Sequence, residues 1–339
     1  MTTHGTRPTM RDVARHANVA TKTVSRVVND EPNVRPQTAA RVQRAIIELG
    51  YLRNDSARVL RRGQTASIGL ILENIGDPFY AALSRAVEDV AASHDTLLIT
   101  GSSDEDPDRE RTLALAFCAR RVDGLIIIPA AHDHTYLQQE MAAGCALVFA
   151  DRPPRLIGAD TVLTDNRGGA MTGVAHLIGN GHRRIGFIGD DPRIYTAAER
   201  YQGYCEAMAA AGLRVASSWV TRTAPSRQTM SEALRRMLAG STPVTAVFCG
   251  NNRITVLALR ELRTARISIA LVGFDDLELA DLLEPGITVV AQHTGELGRI
   301  AADMLFRRLG GYPGPPERVV LPATLVPRGS AEFPPPADP

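Results

Sequence analysis

Apolar positions in the first fifty residues recur at helical spacing. Met10, Val13, Ala14 and Ala17 fall at i, i+3, i+4 and i+7, one face of a helix. Thr9 followed three residues later by Asp12 reads as a capping box that starts it. After a break at Asn18-Val19-Ala20, the spacing predicts a second helix from Thr21 to Asn29, with Val24, Val27 and Val28 inward. Asp30-Glu31-Pro32-Asn33 ends it. Pro36 is placed to open a third helix that buries Ala39, Val42, Ile46 and Leu49 before Gly50-Tyr51. Two short helices joined by a tight turn and braced by a third describe a helix-turn-helix, or equally any small three-helix bundle.

From Ser67 the period changes. Apolar runs at 67–72, 96–100, 124–128 and 146–150 read as buried strands, with helices around 79–93, 108–120 and 134–143 between them. The alternation resumes with strands at 185–189, 245–249 and 269–274. Apolar strands alternating with helices mean parallel sheets covered on both faces, with ligands taken at the strand C-terminal ends. Two successive sets predict two α/β subdomains and a cleft. Proline and glycine cluster at 310–316 and 327–336, and the last residues, FPPPADP, are expected to fray.

Charge divides along the same boundary. Residues 1–63 hold 12 Lys+Arg against 5 Asp+Glu, whereas residues 64–339 hold 26 against 32, so the overall +1 hides a basic head on an acidic body. A head of +7 suits a polyanionic partner, although an Arg-rich composition accounts for much of it; Lys22 is the sole lysine. No run approaches the roughly 20 apolar residues of a membrane span, and Met1–Arg11 lacks the apolar segment of a secretory signal. A cytoplasmic protein with no membrane partner is the expectation. Cys118, Cys145, Cys205 and Cys249 stand far apart with no CxxC, so they read as small buried hydrophobes, not a disulfide frame or zinc site.

On the second helix the positions left outward are Thr21, Lys22, Ser25 and Arg26, short or basic side chains of the kind that reach base edges and phosphates in a major groove. Over residues 10–54 the chain resembles the LacI/GalR family of bacterial transcription regulators, through the framework DVA…V…TVSRVVN…V…T…V…A…LGY. The resemblance implies that Thr21 and Lys22 read base edges with Arg26 beside them, while Ser25 and Asn29 position the backbone. Three positions depart from the family pattern. Asn18 replaces the usual Gly and Ala20 a capping Ser or Thr, a cap worth about 1 kcal/mol, and Arg53 replaces the usual Pro. Residues 54–62 match the family's hinge, which becomes helical on DNA; Leu60 matches its minor-groove wedge, Ala57 lies beside it and Arg61 matches a groove-contacting cation. A solvated basic linker is the plainer alternative.

The resemblance extends through about residue 330 and implies a periplasmic-binding-protein-like body. DPFY (77–80), SDEDPDRE (103–110), RRVDGLII (120–127), ADRP (150–153), TDN (164–166), HLIGNGHRRIGFIG (176–189), ERYQGY (199–204) and VGFDD (272–276) carry it by their order. It implies a helix-turn-helix domain over 1–53, a hinge over 54–64, an effector-binding and dimerisation domain over 65–330, and a disordered tail over 331–339. Within the body, an N-subdomain spans about 65–163 and 293–322, and a C-subdomain about 164–292 and 323–330. The chain would cross between them near 163–165, 291–294 and 322–324.

Polar residues just after strands mark the cleft. Asp151, Asn251 and Asp275 follow predicted strands and Arg200 opens a helix, a set able to hold a polyhydroxyl ligand by paired hydrogen bonds. The resemblance implies effector contact at these four positions. Phe79 and Tyr80 would add an aromatic wall, while Glu73, Asp77 and Asp276 read either as further contacts or as caps and surface charges. Where relatives carry AND, this chain has Gly250-Asn251-Asn252-Arg253. The lost acid and gained cation predict an effector more acidic than a neutral sugar, unless Arg253 turns to solvent.

Catalytic readings fail on the residues. There is no GxSxG, no phosphate-cradling GxxxxGK[ST] and no HExxH, and His132, Asp133 and His134 read as a solvated loop, not a metal cluster. No cofactor is expected. A binding protein is favoured over an enzyme, and the resemblance implies a regulator, specifically a repressor, of carbohydrate-utilisation genes. It would bind a pseudo-palindromic operator as a homodimer under control of a sugar or sugar derivative. A nucleobase corepressor on the same architecture, and a transporter's solute-binding protein, are the alternatives; the basic head and absent signal argue against the latter.

Overall fold

The computed structural model of the chain describes residues 8–28, 31–51 and 65–336, in two compact units divided between Thr65 and Ala66. In the first, α1 (Met10–His16), α2 (Thr21–Val28) and α3 (Pro36–Leu49) surround one small core. Thr9 and Asp12 form the reciprocal capping box: the Thr9 N–H donates to Asp12 (2.9 Å) and the Asp12 N–H to the Thr9 hydroxyl (3.4 Å). Asn18 takes φ 49°, the left-handed turn that an Asn tolerates where Gly is commoner. Val13, Ala14, Ala17, Val24, Val42, Ala45 and Tyr51 fill the core. Ala39, Ile46 and Leu49, expected inside, are half-buried at its margin, and Ala45 takes the central place instead. Asn29 and the hinge positions Ala57, Leu60 and Arg61 lie outside the described residues.

The second unit alternates strand and helix. β1 (Ser67–Leu72) leads to α4 (Pro78–Ser93), β2 (Leu97–Ser102) to α5 (Pro107–Ala119), and β3 (Gly124–Ile127) to the short α6 (Gln138–Ala142). β4 (Ala146–Ala150) and β5 (Asp160–Thr164) follow, then α7 (Asn166–Gly179). β6 (Ile185–Gly189), α8 (Tyr195–Ala210), β7 (Val220–Arg222), α9 (Arg227–Leu238), β8 (Ala246–Cys249) and α10 (Asn252–Ala265) continue the pattern. β9 (Ala270–Phe274), β10 (Thr288–Gln292), α11 (Thr294–Leu309), β11 (Arg318–Leu321) and β12 (Ala323–Val326) complete it.

These strands build two six-stranded sheets, ordered β11-β5-β4-β3-β1-β2 and β12-β10-β9-β8-β6-β7. The first is parallel throughout, and in the second only β12 runs antiparallel, against β10. The chain passes from one sheet to the other after β5, back after β10 into α11, and across again between β11 and β12. Each sheet is covered on both faces, which gives two cores per subdomain and leaves the strand C-terminal ends of both sheets facing one cleft.

The structure departs from the sequence pattern at particular places. β5, β7, β10, β11 and β12 carry no long apolar run. β5 opens on Asp160, which is buried because Arg308 of α11 grips both its oxygens (2.7 and 2.8 Å) and the Glu317 N–H donates to it (2.8 Å). The histidine loop is a correction. His132 and Asp133 are exposed, but His134 is fully buried. Its Nδ1 accepts the Arg155 N–H (3.0 Å), its Nε2 lies 3.3 Å from Glu110, and its ring stands edge-on to Phe149. The cysteines are a second correction, since only Cys249 is buried and the other three are half-buried. The tail is a third. Ala331 is fully buried, and the Phe333 carbonyl lies 3.1 Å from His182 Nε2, so the chain stays packed at least that far.

Asp160 ties β5 to α11 and to the approach to β11, and its removal has a calculable signature. Burial alone would raise its pKa, but the Arg308 pair and the Glu317 N–H overcome this and hold it below the usual carboxylate range. A depressed folded pKa contributes stability above the unfolded value and loses it as pH falls through the folded one. Asp160→Asn is therefore expected to cost about 2–3 kcal/mol at neutral pH, with the deficit shrinking in acid. Urea denaturation of parent and variant across a pH series checks both the size and the trend.

Candidate functional site

Two acids occupy corresponding places at the ends of the two sheets. Asp151 follows β4 and Asp275 follows β9, both in the left-handed region (φ 64° and 68°). Each donates its backbone N–H to the neighbouring strand, Asp151 to the Val162 carbonyl and Asp275 to that of Val290, both at 2.9 Å. The strand register is thus continued while the side chain is turned into the cleft. Both are buried, at 3% and 7% exposure, and a non-glycine left-handed residue at a strand end is strained backbone of the kind that gathers at functional sites.

Arg200 lies between the helices and the second sheet's strand ends. Its Nε donates to Asn166 (2.7 Å), and its Nη1 to the Gly250 carbonyl (2.7 Å) and more distantly to Asp275 (3.5 Å). The guanidinium stacks on the Phe274 ring at 3.8 Å, which fixes its plane. Close approach of α7 and α8 makes this reach possible. At Gly203 a side-chain carbon would collide with the Arg167 carbonyl, so only glycine lets the helices come this near. Gln292, at the end of β10, donates to the other Asp275 oxygen (2.5 Å).

On the first sheet's side Arg152 is the counterpart. It donates to Glu105 (2.5 Å) and to the Pro129 carbonyl (2.9 Å), and lies 3.4 Å from Glu73, which also accepts the Tyr80 hydroxyl (3.0 Å). Asp151 Oδ1, Arg152 Nε and Gln292 Oε1, on three residues that line the cleft, are buried without a hydrogen-bond partner in the protein, with Arg152 Nε 3.6 Å from the other Asp151 oxygen. The cavity between the rims is small, about 50 Å³, and partly open.

Two bonds cross it. Asn252 Nδ2 donates to Asp77 Oδ1 (2.8 Å), and Arg253 Nη1 pairs with Glu73 Oε1 (3.1 Å). Arg253 is half exposed but paired across the cleft, so it does not stand as a spare cation for an acidic ligand. Asp77 also caps α4, accepting the Phe79 N–H (2.9 Å), and Asn251 caps α10 through Ile254 (2.8 Å) while reaching Asp190 (3.3 Å). Asp276 faces outward onto Arg328.

All six positions singled out from the sequence, Phe79, Tyr80, Asp151, Arg200, Asn251 and Asp275, line this one cavity. Arg152, Asp190 and Gln292 line it too and were not singled out, and Asn252, noted from the sequence only as a lost acid, joins them. Arg152 stands inside the ADRP motif, directly after Asp151, and that adjacency was the available signal. In the first unit Thr21 and Lys22 are exposed on α2, Ser25 and Arg26 are half-buried, and Arg26 lies 3.9 Å from Glu31.

Comparison with known proteins agrees with this geometry. Residues 9–54 match the model of bacterial regulatory proteins of the lacI family, and residues 174–331 that of the periplasmic binding protein-like domain. The transcriptional regulator CelR of Thermobifida fusca is 35% identical over 338 residues, covering 96% of this chain and 98% of that protein. A CelR–cellobiose complex superposes with a TM-score of 0.70 at 31% identity, over 96% of this chain and 100% of the other. The lac repressor dimer bound to operator and the anti-inducer ONPF gives a TM-score of 0.84 over 97% of this chain and 100% of that one, at 24% identity, a likeness of fold. A helix-turn-helix head joined to two parallel-sheet subdomains around a polar cleft defines a ligand-responsive, DNA-binding transcriptional regulator. The chain belongs to the LacI/GalR family. Among the described residues no helix is long and apolar enough to cross a membrane, and no group of side chains is placed to hold a metal.

The buried acids set the cleft's electrostatics. Burial raises the pKa of Asp151 and of Asp275 against the pull of their arginines, and likewise raises those of Glu73 and Asp190. An acid with a raised folded pKa costs stability while ionised, and the cost disappears as pH falls below that pKa. Asp151→Asn is therefore expected to be more stable than the parent at pH 7.5, by on the order of 1 kcal/mol, with the gain fading toward the ordinary carboxylate range. Thermal denaturation at stepped pH reads this directly. A variant less stable at pH 7.5 would show instead that the arginine contacts outweigh burial.

Proposed function

We propose that the chain represses carbohydrate-utilisation genes, and that a neutral polyhydroxyl effector in the cleft sets its affinity for operator DNA. The charge balance of the cavity carries the reading. Five carboxylates (Glu73, Asp77, Asp151, Asp190, Asp275) line it against three guanidiniums (Arg152, Arg200, Arg253), and those cations already have acidic partners nearby. An acidic or phosphorylated ligand would meet more carboxyls than guanidiniums. A sugar hydroxyl can donate to one carboxylate and accept from a neighbouring guanidinium, which suits paired groups of both signs. This supports a neutral effector over the acidic one that Arg253 suggests in the sequence alone. The cellobiose complex of a relative is consistent with it.

In this reading Phe79, Tyr80, Asp151, Arg200, Asn251 and Asp275 hold the effector, joined by Arg152 and Gln292. Thr21 and Lys22 read base edges, and Ser25, Arg26 and Asn29 place α2 against the phosphates. Ala57, Leu60 and Arg61 enter the minor groove as a hinge. A homodimer matches the two-fold symmetry of a pseudo-palindromic operator. The cleft is a binding site and not a catalytic one, in keeping with relatives that are transcriptional regulators. Linkage requires the effector to prefer one of two subdomain arrangements, and operator affinity then shifts by the same factor as effector affinity.

Fluorescence anisotropy on a selected operator and a scrambled duplex tests both halves. Lys22→Ala is expected to lose about 1–3 kcal/mol of discrimination between the two DNAs. Equal losses on both would reduce Lys22 to a phosphate contact. A neutral sugar is expected to change operator affinity where its acid and phosphate do not; the opposite ranking would sink the charge argument.

A further inference from the structure

Two cysteines 27 residues apart in the chain meet at the end of the first sheet opposite the cleft. Cys118 is on the last turn of α5, and Cys145 stands directly before β4. The backbone between them brings this about. The Arg121 N–H donates to the Cys118 carbonyl (2.7 Å) and the Val122 N–H to that of Phe117 (3.3 Å), so the chain reverses at once after α5 and enters β3. β3 pairs with β4 from its first residue, Gly124 opposite Ala146, and the Ala146 N–H reaches the Asp123 carbonyl (3.4 Å). The end of α5 and the start of β4 therefore flank one strand entry. Both cysteine side chains pack on the same core, which includes Phe117, Val122, Leu137 and Leu147. There the Cys145 thiol donates a hydrogen bond to the Cys118 sulfur. We propose that Cys118 and Cys145 are a redox pair, which hydroperoxides convert reversibly into an intramolecular disulfide.

The two thiols have unequal roles. The hydrogen bond from Cys145 favours a Cys118 thiolate and lowers its pKa, against the opposing effects of burial and the Glu140 carboxylate. The same bond raises the pKa of Cys145, and burial adds to the rise. Cys118 is thus the nucleophile and Cys145 the resolving thiol. The Cys118 sulfur attacks one peroxide oxygen, the O–O bond breaks, and the departing hydroxide takes the Cys118 proton to leave as water. Cys118 is oxidised to the sulfenic acid and the peroxide is reduced. Glu140, whose side chain also hydrogen-bonds the Cys118 thiol, is placed to pass that proton on. The Cys145 sulfur then attacks the sulfenic sulfur. The S–S bond forms, the S–O bond breaks, and hydroxide leaves with the Cys145 proton as a second water. Two thiols and one hydrogen peroxide give one disulfide and two waters, and an external dithiol reverses the change by exchange. Both cysteines are half-buried, within reach of a small oxidant. Cys249 is fully buried, and burial pushes its thiol up to about 12, which keeps it out of such chemistry.

The bond would close residues 118–145 into a loop that contains β3 and part of the cleft wall. Within it the Pro129 carbonyl accepts from Arg152, and the Ala130 and Ala131 N–H groups donate to Glu110 near the start of α5 (2.5 and 2.9 Å). The disulfide would add a second tie at the far end of the same helix. A closed loop restricts the unfolded chain and so favours the folded one.

Peptide mapping of the full chain tests the inference. The reduced protein is freed of reductant, exposed to a slight molar excess of hydrogen peroxide, alkylated, and cut with trypsin without reduction. Cleavage after Arg120 and Arg121 separates the two cysteines, so a bond between them joins two peptides. The Cys118–Cys145 pair is expected as the main product and is expected to vanish with dithiothreitol. Cys118 is expected to lose its thiol about tenfold faster than Cys205. In Cys145→Ser, Cys118 is expected to stop at the sulfenic acid and be captured by dimedone, whereas in Cys118→Ser the Cys145 thiol is expected to survive the same exposure. The parent chain alone decides the pairing, whether or not the variants fold. A main product that links other cysteines, or two chains, overturns the proposal, as does a Cys118 thiol lost no faster than that of Cys205. Survival of Cys118 in Cys145→Ser with capture of Cys145 in Cys118→Ser overturns the assignment of nucleophile.

Discussion

The cleft depends on the burial of Arg200. A guanidinium that cannot lose its proton must be given acceptors wherever it is buried, and here they come from three separate elements: Asn166 at the start of α7, the Gly250 carbonyl after β8, and Asp275 after β9. Phe274 holds the plane. Satisfying one side chain thereby fixes the relative placement of a helix start and two strand ends, and Asp275 is carried into the cavity as part of the same arrangement. Gly203 is the enabling residue, because the reach from α8 exists only if α7 comes close.

Arg152 performs the corresponding task on the other rim, with Glu105, Glu73 and the Pro129 carbonyl as its acceptors. The two rims are then joined by Asn252–Asp77 and Arg253–Glu73. Asn252 stands where the family's AND pattern ends in an acid, and Arg253 follows where an apolar residue is common. An acid at 252 would have faced the carboxylate of Asp77, and the amide that replaces it donates to that carboxylate instead. The departure therefore has a local physical sense: it turns a repulsion across the cleft into a bond.

Local rules made the head legible in the sequence. The capping box, the three-and-four spacing and the turn at Asn18 act over a few residues, so the pattern alone locates α1 to α3. The first four strands were legible for a similar reason, being apolar runs long enough to be read alone. β5 was hidden because its first residue is an acid whose burial is compensated by Arg308, 148 residues away. β11 and β12 were hidden among Pro315, Pro316, Pro322 and Pro327. His134 looked like part of a solvated loop because Glu110, which it faces, belongs to α5, outside that loop. Asp151, Asn251 and Asp275 were legible because parallel sheets place ligands at strand ends, whereas Arg200, Phe79 and Tyr80, which stand on helices, came from the family resemblance and its motifs. The partners of Arg253 and Asn252 stand 180 and 175 residues distant, and no local pattern encodes them.

Every ion pair that shapes this cleft uses arginine as its positive member. A guanidinium stays protonated at any pH a folded protein meets, whereas the facing carboxyls include groups that burial makes easier to protonate. The cleft therefore answers to hydrogen-ion activity in one direction only. Acid weakens its ion pairs by neutralising those carboxyls, and alkali leaves the guanidiniums charged.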